Sequence, residues 1–169
     1  MNKFLATAGA IAVLALTGTP AVAAAPSAQA NATAKIYKPL TIEKKQDLDF
    51  GTIVLVGSTF TNEVVTVPTS GPVVCGGGAN VTCSGAPTPA KFHLVGSNNA
   101  VVTVNSPAFD LTGPGTLSVT PTSLTQAVNL GATGNTTGYD VFLGGSITLG
   151  STTPDGVYTG QWTVTADYQ

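Results

Sequence analysis

The last dozen residues before the final glutamine, VYTGQWTVTADY (157–168), alternate with a period of two. Tyr158, Gly160, Trp162, Val164, Ala166 and Tyr168 fall on one face, and Val157, Thr159, Gln161, Thr163, Thr165 and Asp167 fall on the other. Successive side chains of a strand point to opposite faces, so the pattern predicts a strand with one buried and one wet side. Extended over its whole length it would reach roughly 40 Å, about twice an ordinary strand. The chain's one tryptophan lies on the apolar face. A strand of this kind sets an all-β expectation for the rest of the chain.

Upstream, short runs rich in Val, Ile, Thr and aromatics are broken by Gly, Pro, Asn and Asp, and apolar residues seldom recur at helical spacing. Strands are predicted over residues 32–42, 50–56, 62–67, 72–75, 90–96, 100–105, 115–120, 127–130, 139–150 and 157–168. Turn-forming residues separate them, and Asp155 with Gly156 reads as a type I′ hairpin turn. Strands at this spacing, without intervening helices, predict an antiparallel β-sandwich or barrel. Alternation assigns faces within it. Ala90, Phe92 and Leu94 point inward while Lys91 and His93 point outward. Val141, Leu143, Ile147 and Leu149 share an inner face, with Gly145 between them. The wet faces are built from Thr, Ser, Asn and Gly, a neutral surface suited to close lateral packing.

Charge excludes one class of partner. Only 8% of residues are charged, the formal net charge is −2, and the six cations are all lysines, none of them beyond Lys91. A nucleic-acid binder needs a basic stripe to displace counterions, so no nucleic-acid partner is expected.

Residues 1–30 read as a signal peptide. Lys3 precedes an apolar run from Phe4 to Gly18, and Ala28, Gln29 and Ala30 form a small-x-small cleavage site, with a second candidate site at Ala21, Val22 and Ala23. The apolar run is shorter than the roughly 20 residues of a spanning helix. The expectation is an exported chain starting near Asn31, with one domain over residues 31–169 and no membrane span after cleavage. Its place would be the periplasm, cell surface or extracellular space. An oxidising compartment makes a disulfide the default for Cys75 and Cys83, in CGGGANVTC, stapling a hairpin or loop.

No catalytic constellation is apparent. His93 is the single histidine, and nucleophilic hydrolysis needs an imidazole beside a nucleophile and an orienting acid. There is no nucleophile elbow and no phosphate-binding loop lysine. Asp47 and Asp49 are the one close acid pair, on one strand face, which is too few oxygens for calcium. The expectation is a non-enzyme without cofactor or metal.

The mature N-terminus also alternates. Ala32, Ala34, Ile36, Leu40 and Ile42 share a face, and Pro39 confines the segment to an edge or breaks it. Two readings fit: a first strand of the same sandwich, or a donor segment that adds to another sheet, gaining affinity from main-chain hydrogen bonds.

The residues ATAKIYKPLTIEKKQDLDFGTI near the start and GGSITLGSTTPDGVYTGQWTVTADYQ at the end resemble the bacterial exported family of domain of unknown function 4402. That family is similar to spore-coat-U-like and chaperone–usher pilus subunits, which share the F-G box and the G-x-Y C-terminal strand. The resemblance implies an immunoglobulin-like, Greek-key sandwich left incomplete and filled by a chaperone strand, then by the next subunit's N-terminal extension. On this chain Tyr158, Trp162, Val164, Ala166 and Tyr168 would border the partner-strand groove, and Ala32, Ala34 and Ile36 would lie in the donor segment. The partners implied are further copies or related pilus subunits and a periplasmic chaperone. Two departures stand out. The relatives' disulfide lies near the first strands, whereas Cys75 and Cys83 lie mid-chain, and the extension before PLTI is short. A self-complete sandwich is the counterpart of these departures. The function expected is an exported structural subunit of a pilus, fimbria or surface coat. The alternative is a monomeric adhesin or glycan-binding module with Tyr37, Phe60 and Tyr139 as an exposed aromatic patch.

Overall fold

The structure is a computed structural model that describes residues 25–169. Most of the expected signal peptide lies outside the described residues. Ile36–Gln169 forms one compact unit, and residues 25–35 belong to a separate one and form no strand. No helix among the described residues is long and apolar enough to cross a membrane.

Among the described residues, thirteen strands follow in chain order: β1 (Thr41–Gln46), β2 (Thr52–Leu55), β3 (Glu63–Val67), β4 (Val74–Cys75), β5 (Val81–Ser84), β6 (Ala90–Val95), β7 (Val101–Asn105), β8 (Phe109–Thr112), β9 (Thr116–Pro121), β10 (Thr125–Asn129), β11 (Tyr139–Leu143), β12 (Gly145–Leu149) and β13 (Thr165–Tyr168). All pairings are antiparallel. They make a β1-β6-β11 sheet, a β10-β7-β13 sheet, a β4-β3-β12-β9-β8 sheet and a β2-β5 ribbon. An Asp49–Thr88 bridge links the ribbon to the β1-β6-β11 sheet, so β1–β2 and β5–β6 run side by side as two long kinked strands. The class is an all-β, sandwich-like fold.

Inward residues at period two generate two apolar cores. The first joins the β1-β6-β11 sheet to the β10-β7-β13 sheet, through Phe92, Leu94, Val102, Val104 and Val141 among others. The second joins the β2-β5 ribbon to the five-stranded sheet, through Val65, Val67, Val81, Val119 and Ile147. Leu48 packs on both. The run at 139–150 serves both cores by changing sheets at Gly144. Its first half pairs with β6, and its second with β3 and β9. A Cβ at Gly144 would collide with the Val67 carbonyl, so glycine permits the crossing.

Cys75 and Cys83 are disulfide-bonded. The link is local in sequence and joins two sheets in space, since Cys75 belongs to β4 of the five-stranded sheet and Cys83 to β5 of the ribbon. Beside it Glu63 accepts hydrogen bonds from Gly77 N–H at 3.0 Å and Asn80 Nδ2 at 2.8 Å. These hold the Glu63 carboxyl below its usual range, Asn80 contributing most and Gly77 next.

Three expectations need correction. The N-terminal strand begins at Thr41 rather than at residue 32, because Pro39 lacks an N–H and Lys38 N–H donates to Ser97 Oγ instead of to a ladder. The final strand is not continuous. It touches β8 through one Thr112–Thr159 bridge and pairs with β7 only from Thr165 to Tyr168. Asp155 and Gly156 do not form a type I′ turn, because Asp155 lacks a positive φ and Gly156 sits at +145°. Two strands escaped the sequence reading, β5 and β8.

Two stability outcomes follow. Leu94, fully buried, should lose about 2–5 kcal/mol as Leu94→Ala, while the exposed Leu124→Ala should stay within about 0.5 kcal/mol. A Cys75→Ser, Cys83→Ser double variant should lose about 2–3 kcal/mol, from the short loop the bond closes. Urea midpoints at constant slope measure all three.

Candidate functional site

One side of the sandwich is open. Its first wall is residues 44–55, comprising the end of β1 and all of β2; β1 pairs only with β6, and β2 only with β5. Its second wall is residues 153–163, whose one ladder contact is the Thr112–Thr159 bridge, with N···O distances of 2.8 and 2.9 Å. Between them lies a cleft of about 1200 Å³. Both walls therefore present backbone edges unpaired on the side that faces the cleft.

The floor comes from both cores. β6 supplies Phe92, β8 supplies Phe109 and Leu111, β9 supplies Leu117, and β12 supplies Ile147 and Leu149. Trp162 stacks on Phe109 with ring centroids 5.1 Å apart and stands edge-on to Phe92 at 6.4 Å. Its indole N–H donates to the Pro107 carbonyl at 2.9 Å. Gly160 lets the second wall lie close to β8, because a Cβ there would strike the Asp110 carbonyl. Exposed Val54 and Val157 sit on opposite walls. Lys44, Asp47, Asp49 and Asp155 supply the wall charges, and Lys44 is paired with Asp47 at 2.7 Å. Such an arrangement can bury alternate apolar side chains of an extended segment and hydrogen-bond its backbone from both sides.

Away from the cleft, Tyr168 bridges the C-terminal strand and the lead-in to β1, beside a shallow surface depression. Tyr168 donates its hydroxyl to the Lys38 carbonyl at 2.8 Å and accepts from Ser97 N–H at 2.7 Å. Its ring stacks on Tyr37 at 4.4 Å.

The five residues predicted to border the groove divide accordingly. Tyr158 and Trp162 line the cleft. Val164, Ala166 and Tyr168 pack on the first core beyond its end. Ala32, Ala34 and Ile36 lie outside every strand. Of the aromatic patch, Phe60 is corrected, being 9% exposed and part of the second core, while Tyr37 and Tyr139 are exposed and Tyr37 is stacked on Tyr168. Asp47 and Asp49 do not share a site, since Asp47 pairs with Lys44 and Asp49 accepts from Gly51 N–H. Phe109, Leu111 and Leu117 are the site residues that the sequence reading missed; the alternation of Phe109 and Leu111 in FDLT was the available signal.

His93 stands where alternation put it, beside Lys91 on the outer face of the β1-β6-β11 sheet. There Asp140 accepts from Lys91 Nζ at 2.7 Å and from His93 Nδ1 at 2.6 Å. Both partners, Lys91 first, hold the Asp140 carboxyl below its usual range. Lys45 does the same for Glu43.

A sandwich-like all-β protein with a cleft along one side is the class defined by this fold. Within it, the chain belongs to the family described as a domain of unknown function (DUF4402), whose model matches residues 40–168, a span that takes in both walls. No curated protein and no solved structure matches the chain.

The Glu63 clamp beside the disulfide yields a pH prediction. A carboxyl lowered by folding contributes stability that is present above its unfolded value, near 4.5, and is lost as pH falls through the folded value. Glu63→Gln should therefore be less stable than the parent at neutral pH. The gap should narrow as pH falls below 4.5 and close once Glu63 is protonated in the folded protein. Paired denaturant titrations across that range check it.

Proposed function

We propose that this chain is an exported structural subunit of a pilus, fimbria or surface coat that assembles by sheet-edge strand addition. In this reading it is an immunoglobulin-like, Greek-key sandwich short of one strand. The carrying observation is the seam: two unpaired backbone edges facing each other over an apolar floor. An unpaired edge is a template for another chain, and monomeric proteins usually cover or charge it.

The occupant is the N-terminal segment of a second copy. Residues 31–36 reach about 20 Å when extended, enough to lie along β2 and past both of its ends. Ala32, Ala34 and Ile36 would face the floor, and Lys35 would face outward near the acidic wall residues Asp49 and Asp155. Ile36 is 92% exposed on its own subunit, a large apolar side chain left for burial elsewhere. The resemblance of the F-G box and the G-x-Y C-terminal strand to those of spore-coat-U-like and chaperone–usher subunits motivates the same reading, and the disulfide suits an oxidising compartment. A chaperone strand would cover the cleft before assembly.

The test uses the mature chain and a copy lacking residues 31–36. The mature chain should polymerise at raised concentration, and the truncated copy should stay monomeric and cap growing chains. A synthetic peptide of residues 31–36 should raise the truncated copy's Tm, by about 2.7 kcal/mol of stability at a hundredfold excess over its Kd. Identical polymerisation of the two proteins would sink the donor role.

A further inference from the structure

We infer that the free edge of β10 pairs with the same edge of a second copy across a two-fold axis, joining the β10-β7-β13 sheets of two subunits into one continuous sheet. The inference goes beyond strand addition at the cleft and does not depend on it, because it concerns a different edge. β10 is an end strand of its sheet and pairs with β7 alone. Antiparallel strands exchange hydrogen bonds at every second residue. Leu130 N–H donates to the Ala100 carbonyl at 3.0 Å, and the Leu124 carbonyl accepts from Ser106 N–H at 2.9 Å. Even-numbered residues from Leu124 to Leu130 therefore turn their backbone groups toward β7. Thr125, Ala127 and Asn129 turn theirs outward, and Ala127 sits at the centre of the strand. Every residue of β10 except Val128 is exposed.

Sheet ends are usually guarded by charge, proline, shortness or a covering element. β1 carries Lys44 and Lys45, β8 Asp110, β11 Asp140 and β13 Asp167. β4 is two residues long. β10 has no such guard, and no charged residue occurs between Asp110 and Asp140, so the edge and its flanks are neutral. That neutrality favours a second copy over a charged partner. It offers a charged strand nothing to select, and it spares two identical edges the like-charge repulsion that a two-fold contact otherwise imposes. A two-fold axis beside Ala127 sets Ala127 opposite Ala127 of the second copy and Thr125 opposite Asn129 of the second copy. These are the positions with outward N–H and C=O groups, so one register satisfies them together. Ser123 Oγ donates to the Thr125 carbonyl at 2.9 Å, which leaves that oxygen a second lone pair for the ladder. The same register brings Leu124, 58% exposed beside the start of β10, opposite Leu130 of the second copy, where its apolar surface leaves water. A five-residue edge is smaller than the roughly 800 Å² per partner of a stable interface. Free subunits therefore pair weakly, and subunits arrayed by another contact engage many such edges at once. A head-to-tail contact alone makes a thread, and an added two-fold contact ties threads side by side.

The experiment compares the mature chain and the copy lacking residues 31–36, each as the parent, as Ala127→Lys and as Ala127→Glu. Sedimentation of the shortened parent should show dimer forming as concentration rises, and exchange of the Ala127 and Asn129 amide hydrogens should slow with it. Either variant alone should associate several-fold more weakly, because like charges meet directly across the axis. An equimolar mixture of the two variants should regain the parent's association, because the register sets the two introduced charges against each other. Position 127 is exposed and its backbone groups point away from β7, so both variants should keep the parent's Tm. A shortened parent that stays monomeric as concentration rises overturns the inference, and so does a mixture no more associated than its components. Failure of the mature chain to form long polymers strikes the strand-addition reading instead. In that case the mixture of shortened variants still decides whether β10 pairs with its copy.

Discussion

Trp162 is where the two cores meet. Its ring lies on Phe109 of the second core and against Phe92 of the first, and its N–H satisfies the Pro107 carbonyl. That carbonyl lies in the break between β7 and β8, where Pro107 offers no donor to a neighbouring strand. From Asn105 to Thr112 the β7–β8 path advances seven residues, while its partner advances six between Thr159 and Thr165. The odd residue prevents one continuous ladder. The indole bridges the gap instead, burying large aromatic area and pairing its polar edge. Everything that makes the cleft follows from this crossing. The C-terminal segment is anchored at Trp162 and Thr159, and its other edge is left open.

How much of this was legible in the sequence depends on the length scale. Period-two alternation marks which side chains face inward, and Val141, Leu143, Ile147 and Leu149 are all buried as their spacing demands. It does not report which sheet a strand joins. The same four residues serve two cores because Gly144 lets the chain cross, and nothing in the alternation marks that change. The twelve-residue C-terminal pattern fails in the same way. Faces persist through residues 158–168, while hydrogen-bond partners change midway. Local chemistry was informative where it acts alone, as with the cysteine pair. It misled where a tertiary contact takes over, as when Ser97 captures the Lys38 N–H. The five residues assigned to the groove were half legible for this reason. Tyr158 and Trp162 precede the change of partner and line the cleft, whereas Val164, Ala166 and Tyr168 follow it and close the first core.

The disulfide and the Tyr168 hydrogen bonds lie at different margins of the sandwich. Cys75–Cys83 ties the β2-β5 ribbon to the five-stranded sheet along the ribbon's far side. An isolated two-stranded ribbon is marginal in water, so this tie and the Glu63 clamp help keep the first wall standing. Tyr168 ties the C-terminal strand to the lead-in to β1 at the Lys38 carbonyl.

The seam is also defended unevenly, and this bears on what it is for. Proteins blunt an exposed edge with proline, lysine, bulges or a covering element. The β1 half has all of these: Pro39, Lys44 and Lys45, an irregular register between Lys44 and Gln46, and Tyr168 across its end. The β2 half, Thr52–Leu55, carries neither charge nor proline, and it faces an equally uncharged stretch from Val157 to Thr163 across an apolar floor. The walls run in opposite directions, with Tyr37 beside Tyr168 at one end and the β2 and β8 side chains sharing the second core toward the other. A strand placed between them would be antiparallel to one wall and parallel to the other, so neither orientation is excluded by main-chain pairing alone. Selection then falls to side chains: small and branched apolar residues at every second position, with no charge directed at Phe92, Phe109 or Ile147. Among the described residues, a segment that meets that rule without belonging to any strand is the one containing Ala32, Ala34 and Ile36.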